Sequence, residues 1–460
     1  MKPRFRGTGD TQTKPADGNV ACGVDRTSHV RARRPRRALI AVGCLAALFG
    51  AGTAHADAVT DWNAVANQTT ALPGPFKVRA LAMAQIAVHD ALNAIDPRYT
   101  QYSVVPAAAP NAIPEAAVAA AARDVLLAVA PAAQHATINA AYASAMAGLP
   151  GCPTSTDCQA GIAAGQAAAA AIVADRSLDG AQGNPHLPYT HAPGPGVYQL
   201  TPDQQTPFPV FAGWANVRPF TIGDSDQFRA LFRAPDSDLR VLTSQTYTVE
   251  YAQVKAFGAK PVRAASPNSS KSRIARFWYG SGGQDWATNT RRLVEGRDLD
   301  LWEHARLFAL LGIGQADVFV SVFDNKYHYS FWRPMTAIRW LDDGNPDTES
   351  DPDWTPYLIT PPYPDYPCGT PMLAGAGTEI LRDFFGTDDQ VWTATSHFPG
   401  QPGVPAGDVT RTYKSFSEAA DEAAMARVYS GIHFATGCRA GVDLGEKIAR
   451  YAFDHLLRPL

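Results

Sequence analysis

The stretch that decides the fold class is residues 298–334, DLDLWEHARLFALLGIGQADVFVSVFDNKYHYSFWRP. Its apolar residues recur at roughly helical spacing as far as residue 324, which predicts a long amphipathic helix. Beyond that point Lys326 and Arg333 flank a run rich in aromatic residues. On one continuous helix, seven residues turn through about 700°, so both cations would share a face and lie about 10 Å apart. Because two cations beside such an apolar wall are costly to bury without an anion, the stretch predicts an anion site, or otherwise a solvated charged face.

The same helical spacing recurs along most of the chain. It is present at residues 76–95 and twice within 408–457, and the segments 115–129 and 161–174 are rich in alanine, the best helix former. Residues 191–220 hold six prolines, which forbid a long helix and predict a surface loop or an inter-subdomain strap. No segment shows several alternating strand runs with hairpin signals. We therefore predict an all-α protein, a large helical bundle.

The charge distribution divides the chain into a basic leader and an acidic remainder. Of 460 residues, 46% are hydrophobic and 18% are charged, which is typical of globular proteins. The net charge of −3 combines ten basic and three acidic residues within 1–56 with a net charge of −10 over 57–460. Because nucleic-acid binding needs a basic footprint, we expect no nucleic-acid partner. We divide the remainder into an N-terminal helical region, 57–250, and a C-terminal helical region, 251–460, that carries the chemistry.

The leader has the pattern of an export signal. A basic stretch at 31–37 runs into the apolar segment 38–51, which is shorter than the ~20 residues that a membrane span requires. The small residues Ala54 and Ala56 suit cleavage before Asp57, so we expect a secreted or periplasmic protein without a membrane span. The alternative interpretation is a disordered basic tail followed by a buried helix.

Export also changes the expected state of the cysteines. Four of them remain after cleavage, and an oxidising compartment favours pairing. Cys152 and Cys158 flank a five-residue loop and predict a small local disulfide. Zinc is a poor alternative, because no second pair of His or Cys has ligand spacing. Cys368 and Cys438 are the other two cysteines.

Two further segments carry residues suited to an anion. The proline-rich run 361–371, PPYPDYPCGTP, leads into an apolar helix, and the small Gly369 and the helix start offer backbone N–H groups to an oxyanion. The segment 427–433, RVYSGIH, holds Arg427 and His433, which would point about 120° apart on a continuous helix. The Ser-Gly pair that ends at Gly431 permits a break in the helix, and this break would turn both side chains into one pocket. The alternatives are an ordinary proline-rich loop and a core histidine.

The ordered combination of the three segments is more specific than any one of them. The chain has no His-Glu-x-x-His, dinucleotide-binding, Walker or nucleophile-elbow motif. Lys-x6-Arg-Pro, a proline-rich turn with a small-Gly pair, and Arg-x5-His together resemble the vanadium-dependent haloperoxidases and the related phosphatidic-acid-phosphatase type 2 family. Residues 59–63 and 83–95 and the context YSGIHF at 429–434 carry the resemblance over most of the mature chain.

The resemblance implies an all-α bundle with an oxyanion pocket. Lys326, Arg333 and Arg427 would bind vanadate or phosphate oxygens, and the segment around Gly369 would donate a backbone N–H. His433 would be the axial ligand of vanadium, or the nucleophile of a phosphatase. The implied cofactor is vanadate, with no haem and no nucleotide. The implied partners are hydrogen peroxide and halide, or a small phosphate ester, and helical packing of this kind often continues across a homodimer interface.

The second segment departs from the family pattern. Cys368-Gly369-Thr370 stands where the family has Ser-Gly-His. A thiol is a weaker hydrogen-bond donor than a hydroxyl, and Thr370 cannot exchange protons near neutral pH, so one catalytic group worth ~10²–10⁴-fold is missing. By position in the sequence, His397 is the best substitute and His328 the second.

Cys368 is a further difficulty for peroxide chemistry. A thiol beside three cations tends towards the thiolate, which peroxide oxidises. A disulfide with Cys438, which follows His433 by five residues, would remove the difficulty, and we hypothesise that it forms. Three functions stay open: a vanadium haloperoxidase-like oxidoreductase, a phosphatase with a histidine nucleophile, and a secreted oxyanion-binding or scaffold protein without catalysis.

Overall fold

The structure, a computed structural model, describes residues 57–204, 206–229, 238–280 and 285–460. Within these ranges the chain forms fourteen α-helices, one β-hairpin and two 3₁₀ turns. The leader and its apolar segment lie outside the described residues, so export stays a prediction. In chain order the elements are α1 (Ala58–Thr69), α2 (Gly74–Ile95), α3 (Pro114–Val129), α4 (His135–Gly148), α5 (Thr156–Asp175), α6 (Gln245–Phe257), α7 (Lys260–Ala264), α8 (Ser270–Tyr279), α9 (Trp286–Val294), α10 (Leu301–Tyr329), α11 (Pro334–Arg339), α12 (Gly369–Phe385), β1 (Asp389–Phe398), β2 (Gly407–Ser415), α13 (Phe416–Tyr429) and α14 (Ala435–His455), with 3₁₀ turns at Ala132–Gln134 and Ala212–Asn216.

The predicted all-α class is confirmed, and so are the helices on which it was based. The segments 76–95, 115–129, 161–174 and 298–324 correspond to α2, α3, α5 and α10. The proposed division at residue 250 falls within α6, and the division itself stays a prediction.

Helix α10 is the central element of the fold. Asp300 begins it with a capping box, in which its carboxylate accepts from two backbone N–H groups while Glu303 accepts from the N–H of Asp300. Helices α2, α12 and α14 pack against α10. By length and hydropathy α10 could cross a bilayer, but 89% of its apolar window is buried inside the protein. Its apolar character thus matches a position in the core, and the expected absence of a membrane span stays a prediction.

The hairpin of β1 and β2 was not predicted from the sequence. Its strands are antiparallel, and β1 buries alternate residues, including Ala394, Ser396 and Phe398. The alternation is hard to recognise in the sequence because the buried face includes a small and a polar residue. The connection of eight residues also lacks the two-residue turn that marks a hairpin most clearly.

The proline-rich segment 191–220 is irregular, as predicted, and we call it the strap. The buried carboxylate of Asp317 on α10 accepts three hydrogen bonds from the backbone at the end of the strap. The donors are the N–H groups of Phe220 (2.6 Å), the last residue of the strap, and of Thr221 (2.8 Å) and Ile222 (3.2 Å), which follow it. Burial raises the pKa of Asp317 to about 6. Three donors on one carboxylate fix the strap against the central helix.

The predicted local disulfide is confirmed. Cys152 and Cys158 are bonded across the loop that precedes and enters α5, with their Cα atoms 5.4 Å apart. The bond tethers the connection between α4 and α5.

Helices α12 and α14 pack at close range through glycine. A Cβ atom on Gly445 would lie 2.0 Å from the carbonyl oxygen of Met372, and one on Gly441 would lie 2.4 Å from that of Cys368. Real Cβ atoms do not approach a carbonyl so closely, so the backbones meet only because both positions lack a side chain. This contact sets the position of α14 relative to the start of α12.

We predict that Gly445→Ala lowers the free energy of unfolding by roughly 1–3 kcal/mol, because the added methyl group has no space. Gly314→Ala in α10 is the matched control, since its Cβ would lie 3.9 Å from the nearest atoms. There alanine should be neutral or stabilise by up to about 1 kcal/mol through helix propensity. Urea unfolding followed by circular dichroism measures both changes. Equal stability of the two variants would contradict the close contact.

Candidate active site

Lys326 and Arg333 do not share a helix. Helix α10 ends at Tyr329, Ser330 adopts a left-handed conformation (φ 48°), and Arg333 is the extended N-cap of α11. The prediction of one continuous helix was therefore wrong. The physical reason is partly visible in the sequence, because a residue that precedes proline, here Pro334, is driven out of the helical conformation. The break nevertheless brings the two cations to the same site.

Lys326 is buried in the last turn of α10, with 1% of its surface exposed. Its Nζ donates to the carbonyl oxygens of Pro364 (2.9 Å) and Asp365 (2.9 Å). Burial, reinforced by the charge of Arg333, lowers the pKa of Lys326 to about 7. The lysine can thus change its charge near neutral pH.

The proline-rich run 361–371 surrounds the cations with carbonyl groups. Arg333 donates through Nε to the carbonyl of Tyr363 (2.8 Å) and through Nη2 to that of Pro361 (3.3 Å). The run then enters α12, with Cys368 as the N-cap. A Cβ on Gly369 would meet only Val322, at 3.8 Å, so there is free space beside the first amides of this helix.

The break predicted between Arg427 and His433 is confirmed. Helix α13 ends at Tyr429, and Gly431 has a φ of 78°. A Cβ at Gly431 would also lie 2.4 Å from the carbonyl oxygen of Gly258, so both the backbone angle and the space require glycine. The turn places His433 ahead of α14.

Arg333 and Asp365 surround the His433 imidazole. Nη1 of Arg333 lies 2.8 Å from Nε2 of His433, and since guanidinium only donates, Nε2 accepts and the ring proton is on Nδ1. Nδ1 in turn lies 2.9 Å from Oδ1 of Asp365. Burial and the neighbouring cations lower the pKa of His433 well below its usual value, so the ring is neutral.

Asp365 is the acidic residue of this site, and the sequence analysis missed it. It is fully buried, and burial raises the pKa of its carboxyl to about 8 against the opposing charges of Arg333 and Lys326. Its two oxygens and Nδ1 of His433 have no well-aligned hydrogen-bond partner among the described residues. The available signal was that Asp365 is the one acidic residue in the run 361–371.

Arg427 is a buried cation with few partners. Only 4% of its surface is exposed, Nη1 has a long bond of 3.5 Å to the carbonyl of Trp278, and Nε has no hydrogen-bond partner in the described part of the chain. A buried guanidinium in this state has donors available for an anion.

A cavity of about 440 Å³ leads to Arg427 from beneath the strap. Tyr363 lines this cavity and also contacts the other cations, with Nζ of Lys326 and Cζ of Arg333 each 5.0 Å from its ring centroid. The aromatic ring thus lies at the boundary between the cavity and the cationic cluster, which we define as Lys326, Arg333 and Arg427.

Cys368 and Cys438 are two buried free thiols, so the hypothesised disulfide is absent from this structure. They lie in one buried cluster, and each thiol influences the pKa of the other. Burial raises the pKa of Cys368, but the Cys438 hydrogen bond and the charges of the cationic cluster outweigh it and lower that pKa to about 7. Burial raises the pKa of Cys438 well above its usual value.

Both proposed histidine substitutes are exposed, and neither lines the cavity that leads to Arg427. His397 is on the exposed face of the hairpin, with 64% of its side chain exposed and Nδ1 2.7 Å from Asp408. His328 is exposed on α10. His397 is exposed because its segment is a strand, whose outward residues alternate with buried ones, and its catalytic role stays a prediction. Thr370 is buried in the first turn of α12, beside Gly369.

The one histidine among the described residues that line the cavity is His186. The N–H of Phe211 donates to its Nδ1 (3.1 Å), so Nε2 carries the ring proton in the neutral form. Its ring packs against those of Phe208 and Phe211, with centroids 5.5 and 5.3 Å away. No local pattern marks His186, because it reaches the cavity only through the fold of the strap region.

Sequence comparison relates the C-terminal part of the chain to a known enzyme family. The family model described as "VCPO second helical-bundle domain" matches residues 306–460, which contain the whole cationic cluster and His433. The vanadium chloroperoxidase of Curvularia inaequalis is 28% identical over 181 residues, which cover 31% of this chain and 29% of that enzyme. The matched region is thus less than a third of that relative's length.

Solved structures share the fold over most of the chain. The structure described as the first bacterial vanadium-dependent iodoperoxidase matches with a TM-score of 0.69 and 21% identity, covering 87% of this chain and 96% of that one. A holo-type bacterial vanadium-dependent chloroperoxidase matches with a TM-score of 0.65 and 19% identity, covering 87% and 97%. Residues 306–460 thus match the VCPO second helical-bundle domain, and the solved structures show that most of the chain shares the fold of these bacterial enzymes.

Proposed function

We propose that this protein binds vanadate at the cationic cluster and uses it to oxidise halide with hydrogen peroxide. The observation that carries the proposal is the buried Arg427, whose Nε has no hydrogen-bond partner among the described residues, beside Lys326 and Arg333. The nearest acidic group is Asp365, with Oδ1 4.0 Å from Nη1 of Arg333. A cluster with three buried cations and one carboxylate needs further negative charge, which an oxyanion supplies.

The residues present fit a vanadate group. Arg427 has a free donor, and the space beside Gly369 leaves the start of α12 open to an oxygen atom. His433 is neutral, and its Nε2 lone pair, which now accepts from Arg333, is suited to a metal. The arrangement therefore provides one nitrogen ligand and several hydrogen-bond donors.

Each residue has a separate role in this proposal. Bound vanadate supplies a metal centre that activates hydrogen peroxide for attack by halide. His433 would provide the Nε2 lone pair, the Arg333 guanidinium places the ring proton on Nδ1 by donating to Nε2, and Oδ1 of Asp365 lies 2.9 Å from Nδ1. The cationic cluster offsets the charge of the oxygens, and burial strengthens each interaction because water is excluded.

Thr370 leaves the proton-transfer role of the missing family histidine without an occupant. We assign this role to His186, because its imidazole lines the cavity through which peroxide and halide would reach Arg427. Its Nδ1 is held by the N–H of Phe211, so Nε2 is the nitrogen available to exchange a proton.

A phosphatase is the second candidate. A neutral imidazole beside three cations also suits attack on a phosphate ester, with His433 as the nucleophile. Dye bromination that requires peroxide and bromide supports the haloperoxidase. Hydrolysis of a phosphomonoester that vanadate inhibits supports the phosphatase, and anion binding without either reaction supports a non-catalytic binding protein.

We predict that purified protein binds orthovanadate in a calorimetric titration, and that Arg427→Ala and His433→Ala weaken binding by roughly 10- to 100-fold. Each change removes one charge-assisted hydrogen bond or one ligand. Arg273→Ala, an exposed position on α8, is the matched control and should bind normally. Absence of binding by the wild type would mean that the Cys368 and Thr370 replacements have disabled the site.

The pH dependence of binding is expected to follow Lys326. Burial lowers its pKa to about 7, and an oxyanion favours the protonated form. Affinity should therefore fall as the pH rises through about 7, with a proton taken up on binding above that pH. Lys326→Arg keeps its charge at every pH near neutrality and should flatten this part of the profile.

Titrations from about pH 6 to about pH 8.5 on both proteins test this point. The difference between the two profiles removes the contribution of vanadate's own protonation. Parallel profiles would show that Lys326 keeps its charge throughout.

We predict that His186→Gln lowers peroxide-dependent bromination by roughly 10²-fold or more, because glutamine cannot transfer a proton. Vanadate affinity should remain close to that of the wild type, since His186 is not in the cationic cluster. His397→Gln on the exposed hairpin is the matched control and should react normally. A larger effect at His397 than at His186 would reject the assignment.

A further inference from the structure

The proposed function makes no use of the thiol pair Cys368 and Cys438. Their exposed fractions are 0% and 1%, and with Ala424 they form a small buried cluster of their own. They are free thiols in hydrogen-bonding contact. Two thiols in one buried cluster can form a disulfide when an oxidant removes two electrons from them.

The fold holds the two cysteines face to face. Cys368 is the N-cap of α12, and its N–H donates to the carbonyl of Gly437 (2.9 Å), the residue before Cys438. A Cβ atom on Gly441 would lie 2.4 Å from the carbonyl oxygen of Cys368, so the backbones of α14 and the start of α12 are in close contact beside the two thiols. The thiols therefore stay opposite each other whichever ligand occupies the neighbouring site.

The surroundings favour reaction at Cys368. Lys326, Arg333 and Arg427 all act on its sulfur through their charges, and Cys438 donates a hydrogen bond to it. Cations and a donated hydrogen bond stabilise a thiolate, which is the form that attacks peroxide. At Cys438, burial and the neighbouring Cys368 and Asp365 disfavour the thiolate and outweigh the charge of Arg427, so the pKa of this thiol is raised.

We propose that Cys368 and Cys438 form a dithiol that hydrogen peroxide oxidises to a disulfide in the wall of the anion site. The Cys368 thiolate attacks one peroxide oxygen, the O–O bond breaks, and a proton completes the released water, leaving a sulfenic acid. The sulfur of Cys438 then attacks that sulfenic acid, forming the S–S bond and releasing a second water. In total, two thiols and one hydrogen peroxide give one disulfide and two waters.

Oxidation changes the charge of the anion site. A thiolate at Cys368 offsets part of the positive charge of Lys326, Arg333 and Arg427, and a disulfide carries no charge. The oxidised protein therefore binds an oxyanion more tightly than the reduced protein. This consequence, unlike the oxidation itself, rests on the proposed anion site.

The oxidation is tested on the full chain after reduction and removal of the reductant. Hydrogen peroxide is added, remaining thiols are alkylated under denaturing conditions at successive times, and peptides are identified by mass spectrometry. The expected result is a Cys368–Cys438 cross-link that forms faster than the Cys152–Cys158 bond and is reversed by dithiothreitol. Cys368 and Cys438 that remain fully alkylatable, or that oxidise no faster than Cys152 and Cys158, would overturn the proposal.

Two variants separate the roles of the sulfurs. In Cys438→Ser, Cys368 should stop at the sulfenic acid, which dimedone traps with a characteristic mass increase. In Cys368→Ser, Cys438 should react with peroxide at least about 10-fold more slowly, because burial and the nearby Asp365 disfavour its thiolate. Equal reactivity of the two single thiols would contradict the assignment of Cys368 as the attacking sulfur.

The effect on the anion site is measured with tungstate, an oxyanion that does not oxidise thiols. Calorimetry on the reduced and oxidised protein should give several-fold tighter binding to the oxidised form. Equal affinities would reject the link between the pair and the anion site. Absence of tungstate binding in both forms, with the cross-link still formed, would reject the proposed anion site and leave the dithiol in place.

Discussion

The structure depends on keeping three positive charges inside the protein with too little negative charge to balance them. Lys326, Arg333 and Arg427 are each less than 5% exposed. Because a buried cation is tolerated only when its donors are used, the fold surrounds two of these with backbone carbonyls of the run 361–371. That run must be extended to turn its carbonyl groups inward, and its prolines provide this conformation without leaving many N–H groups to satisfy.

The same constraint explains why the site lies where helices end. Lys326 and Arg427 are in the last turns of α10 and α13, where the helix dipole favours a cation, and Arg333 is the N-cap of α11. His433 lies in the turn ahead of α14. Helix ends are the places where a chain can change direction sharply, so four side chains from distant segments can converge without disturbing the helical core.

The sequence was sufficient to predict the main helices and to select the three cations. It was insufficient to predict the turns and the contacts that bring them together. The break at Gly431 could be predicted because glycine permits a positive φ. The break at Ser330 could not, because serine seldom adopts a left-handed conformation and only the surrounding packing imposes it. Asp365 was visible but had no recognisable partner until the imidazole of His433 was positioned beside it.

The placement of the histidines was also beyond what the sequence could predict. His397 was selected because it lies between the second and third segments along the chain, but neighbours in sequence are separated once the hairpin forms. His186 lies far in sequence from the cationic cluster and precedes the strap. It lines the cavity, where its ring accepts a hydrogen bond from Phe211 of the strap. Long-range placement of this kind has no periodic signal, so it is the part of an active site that a single sequence conceals.

The cationic cluster and part of the lining of the cavity come from different parts of the chain. The cations and His433 all come from the region that matches the family model, residues 306–460, whereas His186 and Phe211 at the cavity come from the preceding part of the chain. Asp317 connects these two parts of the chain, because it is on α10 and its carboxylate accepts a hydrogen bond from the end of the strap. A substitution in the strap can therefore change the lining of the cavity without altering the residues of the cationic cluster, which all lie in the other part of the chain.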